Sequence, residues 1–218
     1  MLAVLLDFNG TMFFDSSLHQ EAWSKIYQVL NPEDTAPPDT GMFCGPRNEV
    51  ILKSIAPWLT DMECDRFSEE KEALYRLACR EKSELLHLVN GTEGFLTYLK
   101  DRGIPFTLAS ASIKSNIDFF FDTFGLGRWF DRDQVVYDDG TYPDKAAMYM
   151  EAARRLNVDI ADCLIVEDSP SSVRSAKQLH PGCIVALGYT AAASELLELG
   201  ADHYIRDFSE FDCAWLDR

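Results

Sequence analysis

The chain begins "MLAVLLDFNGT" (residues 1–11), and the reading of this stretch decides the rest. A near-continuous apolar run from Leu2 to Leu6 stops at Asp7, followed by Phe8, Asn9, Gly10 and Thr11. Apolar residues without alternation suit a strand buried on both faces, as in a parallel sheet. The same pattern recurs in "PFTLAS" (105–110), "QVVY" (134–137), "CLIV" (163–166) and "CIVAL" (183–187). Helical patterns separate these runs, over 113–124, 145–156, 171–179 and 191–199. That alternation predicts an α/β fold, a Rossmann-like parallel sheet core with helices on both faces.

One segment breaks the rhythm. Positions 16–88 carry helical patterns at 17–30, 46–56 and 60–87 but no convincing strand. The Pro- and Asp-rich "NPEDTAPPDTG" (31–41) reads as a loop between the first two. A helical block directly after the first strand is an insertion. The expected division is a core of 1–15 and 89–218 with an inserted α-helical cap domain of 16–88.

Composition narrows the function classes. At 218 residues, 47% hydrophobic and 26% charged, the chain has an ordinary globular balance and enough length for a substantial core. Its formal net charge of −16 argues against nucleic-acid or anionic-membrane partners, which need basic surface. An anionic substrate would therefore need local cations or a metal. The six cysteines show no CxxC pair and no metal-ligand spacing, so buried reduced thiols are expected. No signal-like region precedes Leu2 and no apolar run reaches the length of a membrane span, which predicts a cytoplasmic protein.

In open parallel sheets the ligand crevice lies beyond the carboxyl ends of the strands. Here the first apolar run ends at Asp7, the second at Ser110 and the fourth at Glu167, Asp168 and Ser169. Each also has a plain structural reading: Asp168-Ser169 before Pro170 is an N-cap signal, and Ser110 can cap the next helix. Three such groups at equivalent strand ends point to a site. Asp7 can attack phosphorus to make an acyl phosphate that water later hydrolyses. Asp168 with Asp7 can hold a hard, oxygen-ligated metal, and Ser110 can donate to a phosphoryl oxygen. Lys145, in the first turn of a helix after "GTYPD", can supply fixed positive charge; it also reads as a solvated lysine beside Arg154 and Arg155.

"DFNGT" (7–11) followed by "DSSLHQEAW" (15–23) resembles the haloacid dehalogenase superfamily, more closely its β-phosphoglucomutase-like branch with a helical cap after the first strand. In order, "NGTEGFLTYLKDRGIPFTLASAS" (90–112), "EAARRLNV" (151–158), "LIVEDSPSSVRSA" (164–176) and "GADHYIRDFSEF" (200–211) extend the resemblance over nearly the whole chain. It implies a Mg²⁺-dependent phosphatase or phosphotransferase acting on a small phosphorylated metabolite, with a monomer as the default. By this resemblance Asp7 is nucleophile and metal ligand. The position of Asn9 gives Mg²⁺ a backbone carbonyl, and its side chain normally serves as acid/base. Ser110 and Lys145 bind the transferring phosphoryl group, while Glu167 and Asp168 complete the metal site. Thr11, Ala111 and Ser112 are candidates for substrate contact. So is Arg47 in the cap segment "CGPRNEVIL" (44–52), which reads equally as an exposed arginine at a helix start. His19 and Trp23 match a recurring cap pattern, with burial against the core domain expected.

The chain departs from the family pattern at three places. Ser172 stands where glycine is common, Lys145 precedes Tyr149 by only four residues, and Asn9 replaces the usual acid. Residues 7 and 9 fall on the same side of an extended chain. Asn9 can hydrogen-bond but cannot shuttle a proton, a contribution typically worth about 10²–10⁴-fold. Acyl phosphates and activated esters, whose leaving groups need little protonation, suffer least. Other readings are phosphonate or carbon–halogen hydrolysis, a non-catalytic phosphate- or metabolite-binding module, and an Asp enzyme with an engineered Asn9. The acidic pair at 167–168 speaks against carbon–halogen hydrolysis. Phosphonate chemistry wants a cap lysine, for which Lys25, Lys53, Lys71 and Lys82 are available.

Overall fold

The structure is a computed structural model that describes residues 3–34, 43, 47–189 and 191–217. Its internal contacts divide the chain into two units, Met1–Phe14 with His87–Arg218, and Asp15–Leu86. Positions 35–41 of the expected Pro-rich loop, and Cys44, lie outside the described residues.

Three helices build the Asp15–Leu86 unit: α1 (Ser16–Leu30), α2 (Asn48–Ile55) and α3 (Asp61–Glu81). A capping box starts α3: the Thr60 hydroxyl accepts from Glu63 N–H, and Glu63 Oε2 accepts from Thr60 N–H at 2.8 Å. The helix ends at Glu81, short of the expected 87, where the chain tightens into a 3₁₀ turn at Ser83–Leu85. Trp23, expected to bury against the other unit, packs inside this one with Ile26, Phe43, Ile51, Leu52 and Phe67. His19 joins a buried polar network. Its ring stacks on Tyr75, its Nε2 lies 3.2 Å from Asp15 Oδ2, and its Nδ1 lies 2.7 Å from Lys71 Nζ. Lys71 is in turn paired with Glu72 at 2.8 Å.

In the other unit, six strands pair in parallel: β1 (Ala3–Leu6), β2 (Phe106–Ile113), β3 (Val136–Asp138), β4 (Cys163–Glu167), β5 (Cys183–Leu187) and β6 (His203–Ile205). Their spatial order is β3-β2-β1-β4-β5-β6. The three-residue β6 lies in "GADHYIRDF", too short a stretch for an apolar run to announce it. The intervening helices are α4 (Thr92–Asp101), α5 (Lys114–Phe124), α6 (Lys145–Leu156), α7 (Pro170–Gln178) and α8 (Ala193–Glu198).

Both faces of the central strands are covered, which explains their unbroken hydrophobicity. Ala3 and Leu5 join a core built with Met148 and Tyr149 of α6, Val173 of α7 and Leu196 of α8. Val4 and Leu6 alternate with them and are fully buried as well. Just beyond β1, the ring of Phe8 stacks on Phe120 of α5 with centroids 4.2 Å apart. The five described cysteines are all free, and four of them are buried. Among the described residues, no helix is long and apolar enough to cross a membrane.

The order of the strands sets the site. From β1 the chain adds β2 and β3 on one side, then crosses to add β4, β5 and β6 on the other. The switch in direction falls between β1 and β4, the point where open parallel sheets leave a crevice.

Candidate active site

Asp7 is the first residue after β1, and its N–H donates to Val166 O at 3.1 Å, placing it beside the end of β4. The chain does not stay extended. The N–H groups of Thr11, Met12 and Phe13 all converge on Phe8 O, and Gly10 N–H donates to Phe13 O at 2.8 Å. Strand β1 itself ends at Leu6, and Asn9 lies in the tight turn that opens after Phe8. The Asn9 carboxamide oxygen accepts the Ser112 hydroxyl at 2.6 Å.

Gly10 makes the turn possible. Its φ of +76° is strained for any side chain, and a Cβ there would lie 2.3 Å from Asp168 Oδ2. Gly10→Ala is expected to push Asp168 from its place. It should cost at least 1–2 kcal/mol in stability and roughly 10²-fold in any activity that needs Asp168. Thermal melts with parallel turnover measurements check this.

Asp168 is buried, and the fully buried Thr11 donates its hydroxyl to Asp168 Oδ1 at 3.3 Å. The N-cap signal after β4 resolves onto the next residue: Ser169 Oγ accepts Ser172 N–H at 3.2 Å. Ser172, where the family often has glycine, thus supplies an N–H to the cap. Asp7, Glu167 and Asp168 each offer a carboxylate oxygen, all within 4.8 Å of one another. A trio of buried acids so close needs compensating positive charge.

Lys145 supplies one such charge. It opens α6, whose N-cap Asp144 accepts Ala147 N–H at 2.8 Å. Its Nζ lies 2.6 Å from Asp7 Oδ1 and 3.0 Å from Glu167 Oε1, with the lysine side chain only 10% exposed. This settles the choice between a paired and a solvated lysine. Burial alone would lower the Lys145 ammonium, but Asp7 and Glu167 outweigh it and hold its pKa well above the ordinary lysine value. Asp7 is raised to about 7, first by burial and also by Glu167, with Lys145 opposing. The carboxylate is costly where it stands.

The unusual spacing of Lys145 and Tyr149 has a geometric meaning. Four residues is one helical turn, so both side chains lie on the same side of α6. The buried Tyr149 hydroxyl donates to Glu167 Oε1, and its ring lies 5.6 Å from Lys145 Nζ. Glu167 Oε2 accepts Asp168 N–H at 3.2 Å, so both oxygens of this buried acid have protein partners. Sequence reasoning passed over Tyr149 as a functional residue, although the i, i+4 relation to Lys145 was the available signal. Tyr149→Phe removes a hydrogen bond to a buried carboxylate and is expected to cost about 1.5–3 kcal/mol, read by denaturant unfolding.

Ser110 is buried within β2, which continues to Ile113; the helix it was read as capping begins only at Lys114. The Ser110 hydroxyl oxygen instead accepts Ser112 N–H at 3.3 Å. Pairing to β3 becomes irregular between Ser110 and Ile113, a break that re-aims side chains at the end of the strand. Ala111 is exposed and Ser112 half-buried. Arg47 lies exposed at the N-cap of α2, in the helical unit. The geometry thus gathers Asp7, Lys145, Glu167 and Asp168 in one cluster, with Thr11 bonded to Asp168. Asn9, Ser110 and Ser112 form a second linked group.

Known proteins give this arrangement a family. A model of haloacid dehalogenase-like hydrolases matches residues 1–180. YhcW of Bacillus subtilis, a candidate phosphatase, is 27% identical over 220 residues, covering 98% of this chain and 95% of its own. A family IA, variant 3, HAD hydrolase structure from Entamoeba histolytica aligns with a TM-score of 0.91 at 30% identity, over 100% of this chain and 98% of that one. A β-phosphoglucomutase from Clostridium difficile shares the fold at a TM-score of 0.81 and 21% identity, over 100% and 96% of the two chains. With most of its length matched by the family model, and an acidic cluster at the switch point of its sheet, this chain belongs to the haloacid dehalogenase-like hydrolases.

Proposed function

We propose that the protein is a Mg²⁺-dependent phosphatase or phosphotransferase that takes the phosphoryl group of a small phosphorylated metabolite onto Asp7. The observation that carries this reading is the placement of Asp7: a carboxylate at a strand end, 2.6 Å from Lys145 and grouped with Glu167 and Asp168. Asp7 Oδ attacks phosphorus to form an acyl phosphate, and water then attacks that phosphorus and returns the free carboxylate. Lys145 holds charge opposite the phosphoryl oxygens, and the Ser110 hydroxyl donates to one of them. Ala111 and Ser112 lie beside Ser110 as contacts for the rest of the substrate. Thr11, read from sequence as a substrate contact, is better suited to holding Asp168, since it is buried and bonded to it.

The residues present suit magnesium. Asp7, Glu167 and Asp168 offer hard oxygen donors close together, and the backbone carbonyl of Asn9 is the proposed fourth protein donor. When bound, the ion neutralises charge between the attacking carboxylate and the phosphoryl group. Asn9 lacks a transferable proton, so reduced or altered activity relative to an enzyme with aspartate at this position is part of the reading. A bare binding module has no use for a buried acid held at such electrostatic cost beside a lysine.

The test is phosphate release from p-nitrophenyl phosphate and acetyl phosphate, with Mg²⁺ and with a chelator, by this protein and by Asn9→Asp. Release that depends on Mg²⁺ is expected, with Asn9→Asp the faster on p-nitrophenyl phosphate. If neither protein releases phosphate from either substrate, the enzymatic reading fails.

A further inference from the structure

Two Asn-Gly pairs occur in the chain, Asn9-Gly10 and Asn90-Gly91. Such a pair can rearrange, because the backbone nitrogen of the glycine can close a five-membered ring onto the asparagine Cγ, and glycine has no Cβ to shield that nitrogen. The two pairs differ in their surroundings. At the first, Ser112 donates its hydroxyl to Asn9 Oδ1 at 2.6 Å, and Asn9 is half-buried, within reach of water. A donor on that oxygen draws charge from Cγ and steadies the negative charge that arrives on Oδ1 when a nucleophile adds. At the second, the exposed Asn90 gives its Nδ2 hydrogen to Asp207 Oδ2 at 3.2 Å, and among the described residues no donor meets its Oδ1.

We propose that Asn9-Gly10 is a modification site at which the asparagine is converted to aspartate, with Ser112 as the positioning residue that directs the conversion. A carboxyl at position 9 passes a proton to a leaving oxygen and takes one back from water, which the amide cannot do. The conversion stands on the surroundings of Asn9; its value to the enzyme rests on the phosphoryl-transfer reading above.

The chemistry needs only water. The Gly10 nitrogen gives its proton to water and bonds to Asn9 Cγ, the Cγ–Nδ2 bond breaks, and ammonia leaves with a proton from solvent. Water then adds to Cγ of the cyclic imide, the Cγ–N bond breaks, and its electron pair returns to the Gly10 nitrogen, which takes up a proton. The sum is one water gained and one ammonia lost, with no oxidation or reduction. Water adding instead at the backbone carbon of the ring leaves isoaspartate, with an extra methylene in the main chain. The Ser112 hydroxyl faces the oxygen on Cγ, so it favours attack at that carbon and the ordinary backbone. Gly10 N–H is held by Phe13 O at 2.8 Å, and this bond must open before the nitrogen attacks. That slows the first step without closing the route, since turns open locally at far less than the cost of unfolding.

The test incubates the purified protein at physiological temperature and neutral pH and samples it over time. Peptide mass spectrometry reads the amide-to-acid conversion at both pairs, and isoaspartyl methyltransferase labelling reads the share of rearranged backbone. Asn9 is expected to convert mainly to ordinary aspartate, while the products at Asn90 carry the larger isoaspartate share. Mg²⁺-dependent cleavage of glycerol 2-phosphate should rise in step with the aspartate fraction toward the level of Asn9→Asp, about 10²–10⁴-fold above freshly made protein. Asn9→Gln, whose ring is larger and closes more slowly, should stay an amide and show no rise. Ser112→Ala should slow the conversion about five-fold and raise the isoaspartate share, and Ser112→Thr should restore both. An Asn9 that remains an amide, above all while Asn90 converts, overturns the proposal. Mostly isoaspartate at position 9, or an unchanged rate in Ser112→Ala, overturns the directing role of Ser112. If Asn9→Asp itself releases no phosphate while the parent still converts, the phosphoryl-transfer reading falls and the modification stands.

Discussion

Asp7→Asn is expected to abolish phosphate release while leaving the protein at least as stable as its parent. Both halves follow from the same geometry. The substitution keeps the shape of the side chain but removes the anionic oxygen that attacks phosphorus, and loss of a nucleophile costs on the order of 10⁴–10⁶-fold in kcat. The stability argument runs in the opposite direction. Burial raises the Asp7 carboxyl to about 7, so the charged form is disfavoured in the folded protein at neutral pH. A carboxyl raised on folding costs stability fully above its folded value, and the cost vanishes below its unfolded one. A neutral amide avoids that cost, so a melting temperature equal to or above that of the parent is expected near pH 8. Inactivity accompanied by a fall in melting temperature would instead mark Asp7 as a structural acid. Active sites commonly trade stability for function, and this pair of measurements detects that trade.

Lys145→Met is expected to give the largest loss of stability among these substitutions. Lys145 is the cation facing Asp7 and Glu167, and Glu167 is only 1% exposed. Removing one partner of a buried ionic group strands the other charges, at about 3–5 kcal/mol. For a chain of this size that corresponds to roughly 10 °C in melting temperature. The deficit should shrink between about pH 8 and pH 5, because the Asp7 carboxyl, raised to about 7 by burial even with Lys145 opposing, then takes up a proton in the folded state. Mg²⁺ should also recover part of it, since a bound cation stabilises only the folded form. Melts across pH, with and without Mg²⁺, check all three. A melting temperature within about 2 °C of the parent would show that the acids are relieved by some other route.

The apolar runs and their separation by helices were enough to read the sheet, because both faces of each central strand are covered and the signal is compositional. The strand missed, His203–Ile205, lies at the edge with only three residues and one neighbour, β5, so little apolar sequence marks it. At the site, the acids after β1 and β4 were legible because strand ends converge by topology. Other details were not. Ser110 looked like a cap because the apolar run stops at it, whereas β2 continues through Ala111 and Ser112 to Ile113. The environment of Lys145 depends on packing across α6 and two strands, which no local pattern encodes. In the sequence Tyr149 marks only the short spacing from Lys145, and its hydroxyl acquires meaning only once Glu167 lies within reach.

The central position of β1 also bears on how the chain is made. β1 leaves the ribosome first, yet its partners lie far downstream: Val4 pairs with Phe106, and Ala3 with Cys163. Until position 163 has emerged, one edge of the most hydrophobic strand has nothing to pair with. Long-range parallel pairing of this kind is slow and leaves strand edges open to other chains meanwhile. The Asp15–Leu86 helices make local contacts and can form during that wait. A nascent chain stalled before β4 would therefore carry a folded helical unit on an unfinished sheet. Aggregation during synthesis should rise most steeply with changes that delay the arrival of "CLIVE" (163–167), rather than with changes near Asp7 itself.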